Sequence, residues 1–145
     1  MPSVIAFSIL EKSDPAYRAG YLYRLERDYQ HGVPLLGDPP DWHGPYLALA
    51  HLIGTRGSIL TARAGYCWDG PSGPALDTVD FLRASLVHDC LYQLMRERVL
   101  PQGARPTADR LLREISIEDG MSRWRAWMDW IGVRLGAGPA SHPRT

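Results

Sequence analysis

"FLRASLVHDCLY", residues 81–92, decides how the chain divides. Phe81, Ala84, Val87 or His88, and Leu91 recur three or four residues apart, and Met95 continues the series. That spacing predicts a helix from Asp80 to about Arg98. Inside this apolar run His88 and Asp89 stand side by side. Neighbouring helix positions point about 100° apart, so the two address different targets. His88 and Tyr92, at i and i+4, share a face. The arrangement suits one residue that handles protons and a neighbour that holds a cation beside it.

Upstream of residue 78 the period is two. In "GYLYRLERDYQHG" (20–32) Tyr21, Tyr23 and Leu25 fall on one face and Leu22, Arg24 and Glu26 on the other, the pattern of a half-buried strand. "PYLALAHLI" (45–53) and "GSILTARAG" (57–65) are two more short runs of this kind, while Pro and Gly make "GDPPDWHGP" (37–45) a loop. Downstream, "PQGARP" (101–106) interrupts the first helix. Thr107 then caps a second, with Leu111, Leu112 and Ile115 as its stripe and Gly120 as its stop. Ser122 caps a third helix, on which Trp124, Trp127, Met128, Ile131 and Leu135 share one face. That face is expected in the core, with Trp130, off the stripe, the most exposed of the three tryptophans. The tail "PASHPRT" (139–145) is expected to fray and stay flexible. The fold class is therefore α+β: a small antiparallel N-terminal sheet followed by three helices. It reads as a single domain over 1–138, strand-rich over 1–65, with loop and helices over 66–138.

Composition narrows the function classes. The 145 residues carry 16 basic and 16 acidic side chains, and no basic cluster stands out, which speaks against nucleic acid as a partner. Two cysteines, Cys67 and Cys90, are too few for a disulfide framework; one bridge between them is open to the sequence, and free thiols are the favoured reading. The N-terminus lacks the basic start of a secretory signal, and no window approaches the ~20 apolar residues of a membrane span. The expectation is a soluble, cytoplasmic protein. His31, His43, His51 and His142 are scattered among turns and strands and read as surface residues.

A carboxylate near a Gly-rich loop suits a hard cation. Ca²⁺ takes six to eight oxygens, and the carbonyls of an open loop supply several. "WDGPSGP" (68–74) is such a loop, with Asp69 as a further carboxylate, Gly70 and Gly73 permitting unusual backbone angles, and Pro71 and Pro74 stiffening it. Asp69 serves equally as a loop cap. In the second helix Asp109 is a carboxylate that, on reaching His88, would fix its tautomer and support its charged form.

The order "WDGPSGP … FLRASLVHDCLY … TADRLLRE" resembles the phage and bacterial domain-of-unknown-function family 1353, over roughly residues 64 to 135. It is also similar to the phospholipase A(2) superfamily, especially its small prokaryotic branch. What the resemblance implies is a Ca²⁺-dependent hydrolase of phospholipase A(2) type, built on a His/Asp helix pair. His88 would be the general base, Asp109 would orient it, and Tyr92 would hydrogen-bond Asp109. Asp89 would hold Ca²⁺ together with the 68–73 loop, Asp69 and Gly70 included. The substrate would be a phospholipid or another ester, with peripheral membrane contact.

Two other readings stand beside it. One is a non-catalytic phage or prophage structural or assembly protein, associated with virion or lysis components, that retains the site as a packed polar network. The other is a His-Asp metal phosphohydrolase using His51, His88 and Asp109 as ligands of a transition metal.

Overall fold

The computed structural model describes residues 5–34, 41–51, 57–69, 79–136 and 138–143. The chain is α+β, and its contacts gather it into two compact units, the strand-rich Ser3–Pro74 and the helical Ala75–Thr145.

The strand-rich unit holds two antiparallel sheets where one was expected. The first orders β1 (Phe7–Ile9), β2 (Tyr23–Leu25) and β7 (Cys67–Trp68) as β1-β2-β7. The second comprises β3 (Tyr29–Val33), β4 (Trp42–His43), β5 (Leu47–His51) and β6 (Ser58–Ala62), ordered β3-β6-β5-β4. The alternating run 20–32 is thus not one strand. Tyr23 and Leu25 pair with Ile9 and Phe7, whereas Tyr29 and Val33 pair with Ala62 and Ser58. At the break Asp28 accepts a hydrogen bond from the Ala64 N–H at 2.8 Å, and the ladder changes partners. The loop expected over 37–45 is also partly strand, since Trp42 and His43 pair with Leu49 and Ala48; residues 37–40 lie outside those described. Alternation still selects the buried face, on which Tyr23, Leu25, Tyr29, Val33, Leu47, Leu49 and Leu60 lie. A four-residue helix, α1 (Pro15–Arg18), was not legible as a helix. Asp14 starts it by accepting from the Ala16 N–H and also forks onto Arg24.

In the helical unit, α2 (Val79–Arg96) matches the expected first helix closely. It stops at Arg98, which holds φ at 63°; the Val99 N–H returns to the Leu94 carbonyl and the Arg98 N–H to that of Met95. This closes the orphan carbonyls with a residue other than glycine in the left-handed position. A 3₁₀ turn, Gln102–Ala104, leads into α3 (Arg105–Glu118). Thr107 is not its cap. The helix begins two residues earlier because Pro106 fits its first turn, where a missing N–H costs nothing, and Thr107 is buried inside. Gly120, at φ 108°, ends α3 by the same return of chain. Ser122 does cap α4 (Arg123–Gly136), accepting from the Arg125 N–H at 3.2 Å.

Helix α3 packs between α2 and α4. Ala84, Leu86, Leu94, Met95, Ala108, Leu112 and Ile115 are among the unit's buried apolar residues. Buried Arg83 forks onto Asp119, with Nε 2.9 Å from Oδ2 and Nη2 2.8 Å from Oδ1, tying α2 to the end of α3.

Two expectations fail at the C-terminal end. The apolar stripe of α4 faces outward: Trp124 is 69% exposed and Leu135 85%, and Trp127 and Met128 are exposed as well. Ala126, on the opposite side of the helix, is the buried position, and Trp130 is only partly exposed. Periodicity says that a helix has an apolar face, but which face meets its neighbours depends on the contacts available. The tail is not frayed throughout either. A short helix, α5 (Gly138–Ser141), follows, with Ser141 fully buried. Gln102 Nε2 donates to the Ser141 carbonyl, Ser141 Oγ donates to Gln102 Oε1, and Arg96 donates to the Ala140 carbonyl.

Candidate functional site

Helices α2 and α3 bring His88, Tyr92 and Asp109 together. For His88 to meet Asp109, the fifth residue of α3, residues 99–104 must carry the chain back along α2. The sharp turn at Arg98 and the 3₁₀ turn accomplish this. His88 Nε2 lies 2.8 Å from Asp109 Oδ1, and Tyr92 donates its hydroxyl to the same oxygen at 2.5 Å. The rings of His88 and Tyr92 stack at a tilt, 4.1 Å between centroids, as the i,i+4 spacing allows. Asp109 is 0% exposed and His88 and Tyr92 are buried.

The carboxylate of Asp109 has a second set of partners. Arg134 on α4 donates from Nη1 to Oδ2 at 2.8 Å, and Arg105 Nε lies 3.7 Å from the same oxygen. Arg105 Nε also donates to the Tyr92 hydroxyl at 3.2 Å. A buried carboxylate is costly unless its lone pairs are engaged. Here both oxygens are. Burial works to raise the carboxyl of Asp109, but the hydrogen bonds from His88, Tyr92 and Arg134 outweigh it and hold the group below its ordinary value. Asp109 is therefore an acceptor, and His88 Nε2–H donates the hydrogen bond to it. That fixes the neutral imidazole as the Nε2–H tautomer, with the lone pair on Nδ1.

On the Nδ1 side stands Asp89, whose Oδ1 is 3.9 Å away and whose side chain is partly exposed. Burial disfavours the charged imidazole, yet the hydrogen bonds and charges of Asp109 and Asp89 prevail and raise His88 above its ordinary value. Burial is also the main cause of the raised Tyr92 phenol, reinforced by the Asp109 anion.

The residues expected to hold a cation are described only in part. Asp69 is exposed just after β7, in the strand-rich unit, and Gly70 lies outside the described residues. Among the described residues no group of three or more His, Cys, Asp or Glu side chains is placed to hold a metal. Asp89 is the expected ligand that stands beside His88, and residues 70–73, whose carbonyls were expected to complete a Ca²⁺ shell of six to eight oxygens, lie outside those described. His51 belongs to the strand-rich unit, at the exposed end of β5, and its backbone N–H is taken by Asp41 at 2.7 Å. Cys67 and Cys90 are free thiols.

Sequence reasoning missed Arg105 and Arg134. Arg105 had a readable signal, its i,i+4 spacing to Asp109. Arg134 had none, since 25 residues separate it from its partner. Among the described residues no helix is long and apolar enough to cross a membrane.

Comparison with known proteins gives no matching curated protein and no matching solved structure. One family model does match, over residues 50–133, a span that includes His88, Asp89, Tyr92, Arg105 and Asp109 and stops one residue short of Arg134. With more than half its length so matched, the chain belongs to DUF1353, a family of proteins of unknown function.

Proposed function

We propose that the protein is a hydrolase of the phospholipase A(2) type, acting on a phospholipid or a related carboxylic ester. The observation that carries the reading is the pairing of His88 Nε2 with the ionised, fully buried Asp109, which leaves the Nδ1 lone pair for a reactant. In this reading Nδ1 takes a proton from water as that water attacks the ester carbonyl, Asp109 stabilises the imidazolium that forms, and the imidazolium returns the proton to the leaving alkoxide as the ester C–O bond breaks. Tyr92 holds Asp109 from the side. Calcium is part of the proposal only through Asp89, beside Nδ1, where an ion would supply charge for the developing oxyanion. The exposed, stacked pair Trp124 and Trp127, 5.4 Å between ring centroids, favours peripheral contact with a lipid surface, where amphipathic rings settle.

The test is fatty-acid release from mixed phospholipid vesicles, with Ca²⁺ or a chelator, for wild type and His88→Ala. Release that requires both Ca²⁺ and His88 is expected. Release that persists in His88→Ala would remove the histidine from the chemistry. No release under any condition, with Ca²⁺ binding that Asp89→Asn abolishes, would discard the lipid hydrolase.

One observation favours a second reading. Asp109 is gripped by Arg134 as well as by His88 and Tyr92, so the cluster joins α2, α3 and α4 as a structural knot would. On that reading the chain is a phage or prophage structural or assembly protein in which the polar network serves only to hold helices together.

A further inference from the structure

The two oxygens of Asp109 are divided between different partners. Oδ1 receives His88 and Tyr92, while Oδ2 receives Nη1 of Arg134 at 2.8 Å, with Arg105 Nε farther off at 3.7 Å. The terminal torsion of an aspartate is broad, so the side chain's own preference does not fix where Oδ1 points. Its partners hold it from both ends: His88 and Tyr92 on Oδ1, Arg134 on Oδ2. Arg134 is itself held in place, because Arg105 Nη2 donates to the carbonyls of Val133 at 2.9 Å and Arg134 at 3.0 Å. A continuous path runs from Arg105 through the backbone of α4 and the Arg134 guanidinium to Asp109 and His88.

We infer that Arg134 is a positioning residue of the His88–Asp109 pair, with Arg105 fixing the segment that carries it. Arg134 acts through Asp109: by occupying Oδ2 it aims Oδ1 at the imidazole. The inference rests on the proposed role of His88 as base, because only then does the aim of Oδ1 have a chemical consequence.

The measurement is proton NMR of the full chain. An imidazole N–H bonded to a buried carboxylate resonates far downfield, and burial of His88 slows its exchange with water. Loss of the signal in His88→Gln and Asp109→Asn assigns it. Arg134→Gln is expected to move it upfield or broaden it away, and Arg134→Lys, which keeps the charge, to restore most of it. A purely structural tie would lower the melting temperature and leave the resonance in place. A folded Arg134→Gln protein with an unmoved resonance overturns the inference, as does a wild type without the signal. Should Arg134→Gln not fold, Arg105→Lys is read the same way. It loses the fork onto the two carbonyls, so broadening supports the path and an unmoved signal overturns it.

Where wild-type protein hydrolyses vesicles, Arg134→Gln is expected to lower kcat about tenfold with KM within about twofold, because aim rather than binding is lost. The resonance needs no substrate. Its dependence on Arg134 without any hydrolysis sinks the hydrolase reading alone, and hydrolysis with an Arg134-independent resonance sinks only the role of Arg134.

Discussion

Asp109→Asn is the substitution that weighs the buried cluster. The amide keeps one acceptor oxygen, able to take His88 and Tyr92, but it is neutral. Bonds to a charged group are worth about 1.5–3 kcal/mol and neutral ones about 1, so the loss is roughly 1 kcal/mol for each of the two. The amide nitrogen then faces Arg134, donor against donor. Because the Arg134 side chain is 33% exposed, it can turn to water, which limits that part to about 1 kcal/mol. The sum, about 3 kcal/mol, sits at the lower end of the 3–5 kcal/mol typical for breaking a buried pair. Urea unfolding followed by the far-UV circular dichroism of the helices reads it directly. With a slope of about 2 kcal/mol/M, the midpoint should fall by roughly 1.5 M. A fall worth less than about 1 kcal/mol would mean that the carboxylate charge is not what holds His88, Tyr92 and Arg134 together. That result would undercut the knot and the dyad alike.

Further outcomes follow from particular residues. His88 is raised above its ordinary 6.5 in the folded chain. Its contribution to stability is therefore complete below about pH 6.5 and is lost as pH rises through the folded value. The stability difference between wild type and His88→Gln should shrink from pH 6 to pH 8, by at most about 1.4 kcal/mol per pH unit; a difference that grows contradicts the assigned sign. Arg98 stands at φ 63°, where glycine fits without strain, so Arg98→Gly should stabilise by about 0.5–1 kcal/mol in chemical denaturation, and destabilisation would count against the left-handed turn. Trp124→Ser, at an exposed site, should change stability by no more than about 0.5 kcal/mol; a loss of 2 kcal/mol or more would place this ring in a core after all.

Elements whose information is local could be read from the chain alone. A period of 3.6 marked α2, α3 and α4, alternation chose the buried side of the strands, and Ser122 announced the start of α4, because each depends on residues within a few positions. His88, Tyr92 and Asp109 were legible for the same reason: spacing put the first two on one face, and an aspartate near the start of the next helix could return to them. Long-range packing set the rest. Tyr23–Leu25 and Tyr29–Val33 share one alternating run but join different sheets, since a strand's partner lies tens of residues away. The stripe on α4 declared an apolar face and not its direction, and it points away from the α3 contact. Arg134 reaches Asp109 across 25 residues because α4 lies along α3 with its inner side turned to the carboxylate. No periodicity within α4 carries that distance; packing alone creates it.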